Sequence, residues 1–281
     1  MYASKNKMNM IVNKLTYLDD PDVKSFINYL SSLITGKQGF NHTYKTKKPK
    51  KEFNFVSFEN TANGYEYDNK NFNQTNAHLK TISSDLQKSI KNRNEFDTLK
   101  SCTDILVWGR VTNGAYGILN LYLNKSLISS IEGAFQEMQK DEVDFSYFTG
   151  SSPKYQMNSS FTKIYALASP DPFIMFDSRV SAAFQLIVSN FLKGKSRGSN
   201  IPGSLAFPQL ESRGSANRIL KGFPQFKSQN RSLHAEWNVK ANWIVDASLA
   251  EASLKTFCGA TERSDQMRAV EAALFMIGYE V

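Results

Sequence analysis

Two cysteines and three histidines are all that a chain of 281 residues offers to disulfide or soft-metal chemistry. Cys102 and Cys258 lie far apart in apolar stretches that read as helical, so two buried thiols in a reducing compartment are expected. His42, His78 and His234 are scattered, form no zinc-ligand spacing, and leave no metal or cofactor to be expected. Long apolar runs are also missing: nothing approaches the ~20 residues of a membrane span. The N-terminal stretch MYASKNKMNMIVNKL carries charge and no uninterrupted apolar run, unlike a signal peptide. A soluble, cytoplasmic chain without a membrane partner is the expectation.

Other absences remove particular chemistries. Gly194-Lys195-Ser196 ends like a phosphate-binding P-loop, but the motif needs a glycine five residues before Gly194, and Ser189 stands there inside an amphipathic pattern. His234-Ala235-Glu236 has the H-x-E of zinc deaminases without the P-C-x-x-C that must follow. No G-x-S-x-G nucleophile elbow occurs. Carboxylates, hydroxyls and cations are left as the working groups.

Cations are in excess, and their placement matters more than their sum. The net charge is +8. Residues 193–231 hold Lys193, Lys195, Arg197, Arg213, Arg218, Lys221, Lys227 and Arg231 against Glu211 alone, a local net of +7. Serines, glycines, asparagines and Phe207, Phe223 and Phe226 are interleaved with them, which suits a surface that meets phosphates. A second run, Lys37 to Lys51, has six lysines and no acid; a solvated loop and a functional patch explain it equally well.

Periodicity predicts a mainly α protein. Residues 8–34 read as one or two helices after the Asp19-Asp20-Pro21 start signal, and 36–76 as loop with a small N-terminal hairpin. Helices are predicted over 77–92, 96–108, 119–140 as the longest of the middle, 159–168, 177–192, 215–220, 233–254 and 264–277. Phe173–Phe176 reads as a short extended run after Pro170 and Pro172. The composition is uniform, so the chain is expected to be a single domain over 1–281, with 1–140 and 141–281 as candidate lobes around a cleft.

One stretch points to a chemistry. From Met157 to Phe184 the order is a turn, a helix, a proline-marked bend, an apolar approach, and a carboxylate, Asp177, that opens a new helix. At that position the helix dipole and free N–H groups favour the ionised carboxylate. An N-cap with no further role is the plain structural explanation. The segment resembles the helix-hairpin-helix superfamily of DNA glycosylases, in particular the 8-oxoguanine DNA glycosylase fold, in which a V-D-T-H-V run holds the acid. Here Phe176-Asp177-Ser178-Arg179-Val180 stands in its place.

The resemblance covers 30–40 residues and implies a mainly α, glycosylase-like fold with two helical lobes around a cleft. It implies a monofunctional DNA glycosylase that flips a modified base from the duplex and excises it to leave an abasic site, with Asp177 as the catalytic carboxylate. DNA with a modified or damaged base is the implied partner, and defence against phages carrying glucosylated hydroxymethylcytosine is one setting for such an enzyme. Arg179, Lys195, Arg197, Arg213, Arg218, Asn158 and Ser159 are the candidate DNA-binding residues. Trp108, Trp237 and Trp243 are candidate walls for the base pocket, although packing in helix cores is the commoner use of tryptophan. The family's glycine-rich hairpin is replaced by Gln156-Met157-Asn158-Ser159-Ser160. Its nucleophilic lysine aligns near Ser160 or Phe161, so a lyase step is not expected unless the register shifts to Lys163. Two alternatives stand beside this reading: a non-catalytic module that binds modified DNA, and a Mg-dependent nuclease using acids such as Asp104, Glu236 and Asp246.

Overall fold

Side-chain caps mark where most helices of this chain begin. Asp20 accepts hydrogen bonds from the backbone N–H groups of Asp22 and Val23 at 2.9 and 3.1 Å, and Pro21 pre-sets the first turn. Asn71 and Gln74 form a reciprocal capping box at another helix start. The computed structural model describes residues 10–46, 49–112, 114–150, 153–169, 173–194, 200–210, 218, 220–226 and 230–281. Among them, eleven α-helices dominate and the strands form only two-stranded ribbons. The protein is mainly helical, as its periodicity predicts.

The first elements are β1 (Ile11–Asn13), α1 (Lys14–Leu18) and α2 (Pro21–Ile34). Residues 36–76 carry more structure than the expected loop and hairpin. The hairpin is β2 (His42–Lys45) against β3 (Glu52–Phe55), and a short helix, α3 (Phe58–Asn63), follows it. A second hairpin pairs β4 (Glu66–Tyr67) with β5 (Lys70–Asn71). Its turn residues Asp68 and Asn69 have φ of 54° and 58°, the left-handed pair that a tight hairpin requires.

Then come α4 (Phe72–Lys91) and α5 (Glu95–Trp108). The single helix expected over 119–140 is two, α6 (Ala115–Leu123) and α7 (Leu127–Met138). Lys125 sits between them at φ 53° and the N–H of Ser126 bonds to Leu121 O, closing α6. The apolar spacing stays helical across this break, which hides it from periodicity.

After β6 (Glu142–Asp144) and a 3₁₀ turn over 145–148, the chain forms α8 (Ser159–Ala168), α9 (Ser178–Gly194), α10 (Arg231–Ala252) and α11 (Arg263–Ile277). The helix expected over 215–220 lies mostly outside the described residues; Arg218 and Leu220, which are described, are not helical. Cys102 is fully buried in α5, but Cys258 is half-buried in the turn that closes Phe257 against Ala260, not in a helix.

Packing crosses the expected boundary at 140. β1 pairs antiparallel with β6, α2 packs on α10, and α3 packs on α11. α4 to α8 pack on one another, while α2, α3, α9, α10 and α11 pack together. One cluster of buried side chains runs from Tyr17 to Ile277. At the end of α11, Gly278 lies directly on the first turn of α9. A Cβ on Gly278 would overlap the carbonyl of Arg179, a backbone group that cannot turn aside. Gly278→Ala is therefore expected to lower unfolding stability by roughly 2–3 kcal/mol, read from urea denaturation. A loss within error would mean that α11 ends looser than this.

Candidate functional site

Asp177 is delivered to its place by a stretch of backbone with no helix or sheet partner. Phe173 to Phe176 is buried, so its peptide groups need hydrogen bonds from elsewhere. Side chains supply them. Ile174 donates its N–H to Asn242 Oδ1 and accepts from Asn238 Nδ2 through its carbonyl; Met175 donates to Glu271 Oε2 at 2.8 Å. The carbonyl of Phe176 accepts from Thr162 Oγ1 at 3.2 Å and lies 3.0 Å from His234 Nε2. Three helices thus hold the segment that ends in Asp177.

The two oxygens of Asp177 do different work. Oδ1 caps α9, accepting from the N–H groups of Arg179 at 2.9 Å and Val180 at 3.2 Å. Oδ2 accepts from Lys163 Nζ at 3.2 Å, and Lys163 also donates to Ser159 O. The side chains are 18% and 7% exposed, so little bulk water screens the pair. Lys163 reaches across Gly109, where a Cβ would press on its stem. Burial works to raise the Asp177 carboxyl. The charges of Lys163 and Arg179, with hydrogen bonds from Val180 and Lys163, outweigh it and hold the group below the usual carboxylate range.

Asp177 and Lys163 face a cavity of about 750 Å³ that opens between the α5–α8 side and the α9–α11 side. Its walls include Tyr65, Tyr67, Trp108 and Phe275, with Arg110, Arg179 and Arg218 also lining it. The Tyr67 and Phe275 rings meet edge-on at 5.7 Å, and Tyr67 donates its hydroxyl proton to Trp108 O at 3.1 Å. His234 lines the cavity too. With Nε2 donating to Phe176 O, its ring is neutral near pH 7, because burial pushes it down to about 4.

The expected site residues separate into three groups. Asp177, Arg179, Arg218, Asn158, Ser159 and Trp108 all line this cavity, and Lys163 joins them. Asn158 caps α8, accepting from Ser160 N and Phe161 N. Trp237 and Trp243 do not line it. Trp237 packs against Phe207 at 4.8 Å and Trp243 against Tyr17 at 5.9 Å, both as core residues on α10. Lys195, Arg197 and Arg213 lie outside the described residues. The acids weighed for a nuclease are not gathered: Glu236 pairs with Lys240, Asp246 with Arg263, and Asp104 stands on α5. Among the described residues no group of three His, Cys, Asp or Glu side chains is placed to hold a metal ion.

Tyr65, Tyr67 and Phe275 are walls that sequence reasoning missed. The signal for the tyrosines was present in Tyr65-Glu66-Tyr67-Asp68-Asn69, alternate residues leading into a hairpin turn. Phe275 has no comparable signal, since it reads as one more apolar position on α11.

Comparison with protein-family models, curated proteins and solved structures finds no match to this chain.

The buried histidine has a measurable consequence. Below its ordinary value of 6.5, the unfolded chain binds the His234 proton while the folded protein does not until about pH 4. Stability is thus full above pH 6.5 and falls as pH drops through that window, by something of the order of 3 kcal/mol. Asp177 adds in the same direction at lower pH, its lowered carboxyl giving stability that is lost once it protonates. Urea titrations across the window should show this slope in the wild type and a much flatter one in His234→Gln. Equal slopes would place the titrating group elsewhere.

Proposed function

We propose that this chain is a monofunctional DNA glycosylase, hydrolysing the N-glycosidic bond of a modified base to leave an abasic site. The observation that carries the reading is the Asp177 carboxylate, fixed by its own helix and by Lys163 at an aromatic-walled cavity with arginines beside it. Departure of a base leaves positive charge on the sugar. A carboxylate that stays ionised and needs no reorganisation stabilises that charge. Its lowered proton affinity makes it a weak base, so electrostatic stabilisation and orientation of water are its main roles.

A base reaches such a carboxylate only after leaving the stack. Trp108, Tyr67, Tyr65 and Phe275 offer faces for a flat heterocycle, and Arg179 and Arg218 suit the backbone beside it. The order of α8, extended approach and Asp-capped α9 agrees with the helix-hairpin-helix resemblance, and the cavity between two sets of helices suits the two-lobed cleft that it implies.

Incubation with duplexes carrying oxidised, alkylated or glucosylated bases, in EDTA and then hot alkali, tests this directly. Wild type should give alkali-dependent breaks on one class, and Asp177→Asn should lose roughly two to three orders of magnitude in rate. Binding that survives in both proteins with no breaks on any base would replace the enzyme with a DNA-binding module. Breaks abolished by EDTA would point to the nuclease instead.

A second reading is favoured by one distance, the 3.2 Å between Lys163 Nζ and Asp177 Oδ2. A neutral Lys163 amine could displace the base at C1′, and ring opening with proton loss would give an imine to the sugar. Borohydride reduces such an imine to a stable protein–DNA link. The monofunctional reading expects no trapped species. It also expects Lys163→Gln to keep partial activity, with the acid limb of its pH–rate profile moved upward because the Asp177 carboxyl has lost its cation. A trapped adduct that vanishes in Lys163→Gln would establish the lyase.

A further inference from the structure

Arg179 and Arg218 stand side by side at this cavity, and no carboxylate lies within ion-pair distance of either among the described residues. Each is held by other means. The Arg179 guanidinium lies over the Phe275 ring at 4.1 Å and the Tyr279 ring at 4.9 Å. Arg218 donates from Nε to Tyr279 O and from one terminal nitrogen to Ser178 Oγ, both at 3.2 Å. Its guanidinium is 5.9 Å from the same Tyr279 ring. Tyr279 is itself fixed by stacking on Tyr44 at 5.1 Å and an interplanar angle of 15°.

The charge count around the cavity is unbalanced. Among the described lining residues, Arg110 has Asp68 as its partner and Lys163 has Asp177. Glu271 faces the cavity but is committed to Arg268 and to the N–H of Met175. Arg179 and Arg218 have no ion pair of their own there; both feel the Asp177 carboxylate, which Lys163 already shares, and as two half-buried like charges they also repel each other. Burial first, and then the Arg179 charge, pull Arg218 below the usual arginine range. Two such like charges are unfavourable by themselves and are relieved by an anion between them, and two guanidinium forks match a tetrahedral oxyanion in geometry as well as charge.

We propose that Arg179 and Arg218 form a seat for one particular phosphodiester of DNA, the phosphate of the nucleotide whose sugar faces Asp177. This rests on the reading of the cavity as a nucleotide site and adds to it a fixed register. Arg179 and Ser178 follow Asp177 directly in the chain, so the seat and the carboxylate are set by the same helix turn. The Phe275 and Tyr279 rings lie against the Arg179 guanidinium and help to hold it in place.

Two measurements test the seat without using excision. Thermal unfolding in inorganic phosphate, against chloride at equal ionic strength, should show a saturable rise in midpoint for the wild type. Arg179→Gln and Arg218→Gln should each lose it, and Arg218→Lys should recover part. Equal shifts in all four proteins, or none in the wild type, would overturn the seat.

The second measurement uses a duplex with an abasic analogue and one neutral methylphosphonate placed in turn at each flanking phosphate. Wild type should lose roughly tenfold or more in affinity at one position only. Arg218→Gln should show no further loss there. A uniform penalty, or the same penalty in the variant, would overturn the assignment to the DNA backbone, and a phosphate-dependent midpoint alongside it would point to a free nucleotide. If the seat holds and no base is excised, the glycosylase reading fails while the seat stands.

Discussion

The interaction on which the rest depends is the hydrogen bonding of a buried, unpaired stretch of backbone, Phe173 to Phe176. Buried peptide groups outside helices and sheets are costly unless every donor and acceptor finds a partner. Here the partners are side chains of α8, α10 and α11: Thr162, Asn238, Asn242, His234 and Glu271. These helices must meet the segment at fixed distances, so their mutual packing is set around it. α9 begins where the segment ends, and its first turn is then pinned by Gly278 at the end of α11.

The electrostatics of the cavity follow from this frame. A carboxylate lifted from water at the end of such a segment would tend to protonate. The Lys163 and Arg179 charges and the N–H groups of its own helix reverse that tendency. The same burial has the opposite sense for His234, which is held neutral beside the pair. One environment thus keeps an acid charged and a base uncharged, because the first has compensating charges while the second has the neutral Phe176 carbonyl as its hydrogen-bond partner among the described residues.

How far this was legible in the sequence depends on the range of the interaction. The helices over 159–168 and from Asp177 onward are marked by local caps and spacing, and their boundaries follow from Asn158 and Asp177 themselves. The break at Lys125 is local too, but the apolar phase continues across it and conceals it. Trp237 and Trp243 are the opposite case. Their residue type suits a base pocket, yet on α10 they point into the core, and only the tertiary fold decides which face of a helix buried on most sides meets the cavity. Tyr65, Tyr67 and Phe275 reach the cavity through contacts between α11 and the small hairpins, over sequence separations that no window spans. Lys163 is intermediate. Its 14-residue separation from Asp177 is readable, but their approach to 3.2 Å is not.

Several side chains in or next to this cavity serve the fold and set the position of Asp177 at once, and that limits what can be varied. Glu271, His234 and Thr162 satisfy the buried backbone, so changing any of them disturbs the position of Asp177 as well as stability. Arg179 and Arg218 are different. Their own bonds run to Ser178, Tyr279 and the aromatic rings, and the buried segment does not need them. A fold that only had to bury its core would gain by replacing one of these like charges with an apolar or acidic residue. Keeping both, stacked and facing a cavity beside a fixed carboxylate, is a cost for which the proposed anion seat accounts. The excess positive charge is therefore the part of this cavity that packing alone does not explain.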